Sequence, residues 1–381
     1  MIELPGMAQI WAALPEARMA GGAVRDMLVQ QTVADVDFAV PLPPAAVMAR
    51  AKAAGLKFIP TGLAHGTVTL LAAGRGFEVT SLRRDVETDG RHARVEFTDD
   101  WQADAARRDF TINAMSCDQT GQIFDYFGGR ADLAAGIVRF VGVAAHRLAE
   151  DYLRILRFFR FFARYARGAP DAEAITAIAG ARDGLSGLSP ERIWQELKKI
   201  MQAPAPFAAV MLMQQTGVLE MILPGSSPDR LAALLARGAP FDPLLRLAAL
   251  TDEDFAARLK LSKAESDRLA QWRAPFDLTP TADDDVLRRA LADMPSALLI
   301  GQSWLYGGGD EGWAALRARL AVMVPPVFPL QGRDLLEFGI QAGPEMGRVL
   351  ARVRRWWWQG GCYADKAACL RHAASLSPSP P

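Results

Sequence analysis

Three short stretches of this chain carry side chains suited to phosphate and metal chemistry. The first is Gly21-Gly22-Ala23-Val24-Arg25-Asp26, with Asp35-Val36-Asp37 beginning ten residues after Arg25. Two glycines permit a tight turn, and a helix opening directly after them presents unpaired backbone N–H groups with a partial positive charge. Gly22 therefore stands at a natural phosphate cradle, and Arg25 in the first turn can add a bidentate contact to the same phosphates. Asp35 and Asp37 are two apart where a strand is expected, over Val36–Val40, so both carboxylates point to one face. Two such charges repel unless a cation lies between them. Hard oxygen ligands suit Mg2+, which binds through a few carboxylates and substrate phosphates. Two such ions roughly 3.5–4 Å apart activate an attacking oxygen and stabilise a leaving pyrophosphate. Glu78, between Phe77 and Val79 on a second expected strand, is left open as a third carboxylate. The plain alternative for Asp-x-Asp alone is a solvated acidic strand end.

The second stretch is Arg107-Arg108-Asp109-Phe110-Thr111-Ile112-Asn113-Ala114. Two guanidiniums beside a carboxylate can hold a triphosphate while the Asp fixes one of them, although Arg-Arg-Asp also occurs on solvated helices. The third runs from Glu150-Asp151 through Arg160. On a helical wheel Arg154, Arg157, Arg160, Arg164 and Arg167 share one arc, with Ile155, Phe158, Phe159 and Phe162 on much of the other side. That is an amphipathic helix with one strongly cationic face, which snorkelling arginines alone would also explain. Asp151 and Arg154, three apart, are expected to be neighbours on that helix. A carboxylate accepts and a guanidinium donates, matching the amino donor and ring-nitrogen acceptor shared by adenine and cytosine. Guanine and uracil present the reverse pattern, so such a pair admits ATP and CTP and leaves buried groups unpaired against GTP and UTP. The competing phosphate loops are absent: the chain has no Gly-Lys dipeptide and no Gly-x-Gly-x-x-Gly after a strand.

The elements that must position these groups change character along the chain. Val36–Val40, Gly66–Leu71 and Phe77–Leu82 read as strands, and helices are expected after Gly21-Gly22 and over Ala45–Ala54, stopped by Gly55. From about residue 146 the pattern turns to helices rich in Ala, Leu and Arg, broken at 168–170, 203–206, 223–228 and 324–329; Ser375–Pro381 is read as disordered. The expected fold class is α+β: a nucleotidyltransferase-like head over 1–140, a helical neck over 141–225 and an all-α body and tail over 226–381.

Composition limits the function classes. The 381 residues are half apolar and carry 43 basic and 43 acidic side chains, so no global field draws in nucleic acid. Locally the balance reverses, from 14 Lys/Arg against 17 Asp/Glu over 1–140 to 10 against 7 over 141–200. Three cysteines cannot form a disulfide framework and suit a reducing cytoplasm. The N-terminus lacks the pattern of a signal peptide, and no apolar run reaches the ~20 residues of a membrane span.

Taken together and in order, Gly-Gly-Ala-Val-Arg-Asp, Asp-Val-Asp, Arg-Arg-Asp-Phe-Thr-Ile-Asn-Ala and Glu-Asp-x-x-Arg resemble the motifs of class II tRNA nucleotidyltransferases, the CCA-adding enzymes, which are related to bacterial poly(A) polymerases. Asp125 through Gly142 and Leu188-Ser-Pro-Glu-Arg-Ile-Trp-Gln-Glu-Leu197 extend the match, which is dense over 18–202 and thin beyond. The resemblance implies a polymerase-β-like palm and template-free addition of C, C and A to the 3′ end of tRNA from CTP and ATP. It implies that Asp35 and Asp37 hold Mg2+, that Gly22, Arg25 and Arg108 bind the nucleotide, and that Asp151 and Arg154 read the base, with Arg157 and Arg160 completing the pocket. The terminal 3′-hydroxyl of tRNA would attack, and the helical body would bind RNA through shape and phosphates. No membrane or DNA partner is expected. Departures from the family pattern are Leu28-Val29-Gln30-Gln31 and Asp125-Tyr126, neither at an implied ligand; the His-Asp pair of a C-terminal phosphohydrolase domain found in some members is missing.

Three alternatives remain at this stage. A poly(A) polymerase would use the same chemistry on other RNA ends, although His65–Thr69 and Phe77–Thr80 look more like the CCA-adding branch. A CC-only or A-only enzyme is the second, against which the Arg84–Arg94 segment resembles the flexible head loop of full-specificity enzymes. The third is an RNA-binding homologue without catalysis, at odds with intact Asp35 and Asp37.

Overall fold

A computed structural model of the protein describes residues 4–88, 93–337, 340 and 342–376. The chain divides into two compact units, Met1–Pro224 and Gly225–Pro381. The first is α+β and the second is helical.

In the first unit, α1 (Met7–Ala13) leads into β1 (Arg18–Ala20), α2 (Gly22–Leu28), β2 (Phe38–Val40) and α3 (Pro44–Ala53). Then come β3 (Lys57–Gly62), β4 (Thr67–Ala72), β5 (Arg75–Ser81), a ribbon of β6 (Arg83–Thr88) and β7 (Ala93–Phe97), α4 (Trp101–Ala106), β8 (Met115–Cys117) and β9 (Ile123–Asp125). Seven strands form one mixed sheet in the order β3-β4-β5-β2-β1-β8-β9, in which only β2 and β5 run parallel. Alternation explains the sheet: Val68, Leu70, Phe77 and Val79 are buried while Glu78 and Leu71 are exposed. Trp11 packs edge-on against Phe38 at 5.4 Å, and Phe38 against Phe77 at 6.0 Å, tying α1 to the sheet.

The expected helices after Gly22 and after Pro44 form, but the second strand is shorter than the run Val36–Val40. It begins at Phe38, so Asp35 and Asp37 lie in the extended lead-in. The cause is its partner: Ala20 N–H bonds Asp37 O at 2.9 Å, and Gly21 then turns the chain away into α2, leaving nothing upstream to pair with. Of the segment Arg84–Arg94, 84–88 and 93–94 belong to the ribbon, and residues 89–92 lie outside the described residues.

The helical part of this unit comprises α5 (Gly129–Ala135), α6 (Ala144–Glu150), α7 (Leu153–Tyr165), α8 (Ala172–Ala181), α9 (Pro190–Met201), α10 (Pro206–Gln215) and α11 (Val218–Ile222). The cationic helix is shorter at both ends than its wheel suggests. Asp151 is extended rather than helical and stands two residues before α7, where it accepts the Leu153 N–H at 3.0 Å. Arg167 lies beyond the C-terminus, where its own N–H bonds Gly136 O at 3.0 Å. One face of α7 buries Ile155, Leu156, Phe158, Phe159 and Phe162.

The second unit runs from a helix at Pro228–Ala236 to one at Lys366–Leu376. Among its described residues, one apolar cluster gathers around Leu287, Leu316 and Leu320 and another around Leu335, Val353, Trp357 and Cys369. Ser375 and Leu376, expected to be disordered, finish the last helix; 377–381 lie outside the described residues. Among the described residues no helix is long and apolar enough to cross a membrane.

Candidate active site

Gly21 is where the sheet hands over to the site. Its φ of +69° with ψ of −124° is a conformation open to glycine, and a Cβ there would stand 2.6 Å from Nη1 of Arg108. The turn therefore brings the first motif against the second, and α2 opens with Gly22, Ala23 and Val24 before Arg25 N–H closes onto Gly21 O at 3.2 Å. Gly21 and Gly22 line one wall of a cavity of about 500 Å³.

The other walls come from the segment after α4 and from the start of α7. Arg25, Arg107, Arg108, Arg154, Arg157 and Arg192 present six guanidiniums to this cavity, against the carboxylates of Asp109 and Asp151. That excess suits a polyanion about the size and charge of a nucleoside triphosphate.

Each cation is anchored from behind. Arg25 donates Nε and Nη2 to Asp26 at 3.0 Å each and Nη1 to Asn113 Oδ1 at 2.5 Å, and its guanidinium lies 4.5 Å from the Tyr165 ring. Three of its five donors are engaged, leaving two for a ligand. Asn113 in turn donates to Asp109 Oδ1 at 3.1 Å, and Arg157 Nε donates to Asp109 Oδ2 at 2.6 Å. Burial works against the Asp109 carboxylate, but Arg157 and bonds from Asn113 and the Phe110 N–H outweigh it and hold its pKa below the ordinary value. Arg108 is pushed down by burial, offset by Asp104 at 3.5 Å. Phe110 stacks into the aromatic side of α7, 5.2 Å from Phe161, which seats the Asp109 segment on that helix.

Asp151 and Arg154 both line the cavity, but not as helix neighbours. Asp151 Oδ1 accepts the Leu153 N–H and Oδ2 accepts Nη2 of Arg192 at 2.7 Å, while Arg154 Nη1 is held by the Arg147 carbonyl at 2.7 Å and by Glu150. Arg157 lines the same cavity, whereas Arg160 does not. Its Nη1 is clamped by both oxygens of buried Glu196 at 2.9 and 2.8 Å, and it faces an adjoining cavity.

Asp35 and Asp37 are not part of the arginine-lined wall. They stand on the neighbouring strand end, since Ala20 pairs with Asp37 immediately before Gly21. The pKa of Asp37 is raised, chiefly by burial and next by the charge of Glu78, with Asp35 adding to it and Arg108 opposing. Its surface still reaches solvent, so protein surrounds the carboxylate without sealing it. Register supports the coupling: Phe38 pairs with Val79 in parallel, setting Asp37 beside Glu78. Among the described residues no three such side chains form a ready-made chelating cluster. Mutually repelling hard oxygens open to water nevertheless fit a cation that keeps part of its hydration shell.

Sequence reasoning missed the anchors. Asp26, Asn113 and Glu150 lie inside the quoted motifs, where Glu150 three residues after Arg147 is a visible helix pair. Arg192 and Glu196 sit more than thirty residues from their partners, with no local signal for the contact.

Comparisons with known proteins agree with this architecture. Residues 17–139 match the Poly A polymerase head domain, and residues 170–229 match the probable RNA and SrmB-binding site of polymerase A. The chain is 39% identical over 377 residues to the mitochondrial CCA tRNA nucleotidyltransferase 1 of Mus musculus, covering 94% of this chain and 86% of the relative. The crystal structure of the Bacillus stearothermophilus CCA-adding enzyme in complex with CTP superposes with a TM-score of 0.76 at 26% identity, covering 98% of both chains. A tRNA nucleotidyltransferase complexed with a primer tRNA and an incoming ATP analog shares the fold, with a TM-score of 0.61 at 22% identity over 80% of this chain and 93% of its own. With identity sustained along nearly its whole length, this chain belongs to the CCA tRNA nucleotidyltransferase family.

Proposed function

We propose that this protein adds CMP, CMP and AMP to the 3′ end of tRNA, using CTP and ATP without a template. The observation that carries the reading is the arginine-lined cavity of about 500 Å³ whose Gly21-Gly22 wall directly follows the strand paired with Asp37. In this reading the triphosphate lies against the first turn of α2 at Gly22, with Arg25 and Arg108 as charged partners. The 3′-hydroxyl of tRNA attacks the α-phosphorus, and the bond to the bridging oxygen breaks to release pyrophosphate. Asp35 and Asp37, with Glu78 beside them, would hold Mg2+, which when bound activates the attacking oxygen and offsets charge on the leaving group.

Asp151 and Arg154 read the base edge. Each Asp151 oxygen already accepts one bond and keeps a lone pair for an exocyclic amino group, and Arg192 holds that carboxylate in place. Arg157 closes the pocket through Asp109, and Arg160 acts from the adjoining cavity as a positioning group. Residues 1–140 serve as catalytic head, 141–225 as neck with base recognition, and 226–381 as body and tail for tRNA. Three buried free thiols suit a reducing compartment, which we take to be the cytoplasm.

Incubation with tRNA lacking its last three nucleotides and one labelled NTP at a time tests this. Label from CTP alone should enter first, and label from ATP only when CTP is supplied. A incorporation without CTP contradicts ordered CCA addition and points to an A-adding or poly(A)-type enzyme. In the same assay Asp151→Ala and Arg154→Ala should each admit UTP or GTP about 10²-fold more readily relative to CTP. Unchanged preference in both variants removes the base-edge role.

A further inference from the structure

Behind the nucleotide cavity lies a second one, of about 400 Å³, between α7 and the end of α9. The two share Arg25 and Phe161 as a common wall. The second cavity is lined by four cationic side chains, Arg25, Arg160, Arg164 and Lys199, and by no carboxylate among the described residues. Their positive charge is only partly met from behind. Glu196 is shared between Arg160 at 2.8 Å and Lys199 at 3.5 Å, and Asp26 serves Arg25. Arg164 is held by neutral groups, the Gln31 amide oxygen at 3.1 and 3.3 Å and the Tyr165 ring at 5.8 Å. Burial lowers the pKa of Arg160 and the nearby cations Arg157 and Arg25 add to it, against Glu196 and Asp109. Cations crowded into a concave, partly enclosed space attract a polyanion.

We propose that this cavity is a second site for phosphate groups, joined to the nucleotide pocket through Arg25. Two sources supply that chemistry: the pyrophosphate released by the reaction and a phosphodiester of the bound RNA. The arrangement of the lining residues favours the first. Asp37 is bonded through its carbonyl to Ala20, next to the Gly21-Gly22 wall of the nucleotide pocket, whereas the second cavity meets that pocket at Arg25 and Phe161. The proposed metal-binding carboxylates and the second cavity thus adjoin different residues of the nucleotide pocket's lining. In-line displacement sends the leaving pyrophosphate away from the attacking hydroxyl. Arg164 and Lys199 are exposed, so the cavity also opens toward solvent as a route out. The inference rests on the first cavity being the nucleotide pocket.

The test uses the full chain and the double variant Arg164→Glu/Lys199→Glu, two surface positions outside the proposed nucleotide contacts. Inorganic pyrophosphate is titrated calorimetrically into protein already saturated with CTP, without tRNA. A second arm titrates an acceptor-stem minihelix lacking CCA. The wild type should bind pyrophosphate beside CTP, and the variant should bind it about tenfold more weakly or less, with CTP affinity and thermal midpoint unchanged. A tenfold loss confined to the minihelix also supports the site and identifies RNA phosphate as its occupant. The proposal is overturned if both ligands bind the variant as they bind the wild type. It is equally overturned if CTP affinity falls in step, since the cavity is then an annex of the nucleotide pocket. If the charge reversal fails to fold, Arg164→Gln/Lys199→Gln is read by the same criteria. Failure of the CCA-addition reading is seen separately, in wild-type transfer to tRNA.

Discussion

Asp35 and Asp37 illustrate how little local structure a proposed metal-binding pair needs. Neither is in a regular strand, yet the bond from Ala20 N–H to Asp37 O and the Phe38–Val79 pairing place Asp37 beside Glu78 and next to the Gly21 turn, with the charge of Asp35 also acting on it. Repulsion among the three carboxylates is tolerated because the site faces solvent and, by the proposed function, a cation. Replacing either aspartate by asparagine keeps the shape and removes a charge. Asp37→Asn and Asp35→Asn should each lower nucleotidyl transfer by about 10³-fold or more, with tRNA binding by filter assay within twofold of wild type. Transfer persisting in both variants would remove the metal role from these residues.

At the level of elements, the decisive join is between the segment that follows α4 and the face of α7. Phe110 inserts among Phe140, Phe158 and Phe161, which fixes the backbone so that Asp109 can meet Arg157 and Asn113 while Asn113 meets Arg25. One buried carboxylate thereby aligns cations from α2 and α7. Asp109→Ala leaves those donors without their acceptor and should destabilise the first unit by roughly 2–4 kcal/mol. The pH dependence has a definite sign. Because the folded-state pKa of Asp109 is lowered, its contribution is fully present above the ordinary aspartate value of 3.8 and disappears as pH falls through the folded-state value. The stability gap between wild type and Asp109→Ala, measured by urea unfolding, should therefore be constant near neutrality and narrow only in strong acid. A gap that already closes near pH 6 would show that a different group supports the join.

Across the whole molecule, charge is balanced while its distribution is not. Equal totals of 43 basic and 43 acidic residues remove any long-range pull on RNA, so binding must come from local clusters. Such contacts still release counterions from each phosphate they neutralise. With about five of them, tRNA affinity should drop on the order of 10²–10³-fold between 50 and 200 mM salt. Salt-independent affinity would mean that tRNA is held by shape and stacking rather than by phosphates.

What the amino-acid order determined by itself is the set of reactive groups and the elements carrying them. Gly21-Gly22 had to turn, the alternation of Phe77 and Val79 had to make a strand, and the arginine and phenylalanine faces of α7 had to part. Those features are local, decided by backbone sterics and periodic burial over a few residues. Tertiary structure alone decided which charges neutralise one another. Asp151 meets Arg192 rather than sitting beside Arg154 on a helix, and Arg160 turns to Glu196 and leaves the first cavity. Sequence spacing cannot choose among so many arginines, because each ion pair depends on which side-chain nitrogens and oxygens the folded core brings within about 3 Å of each other.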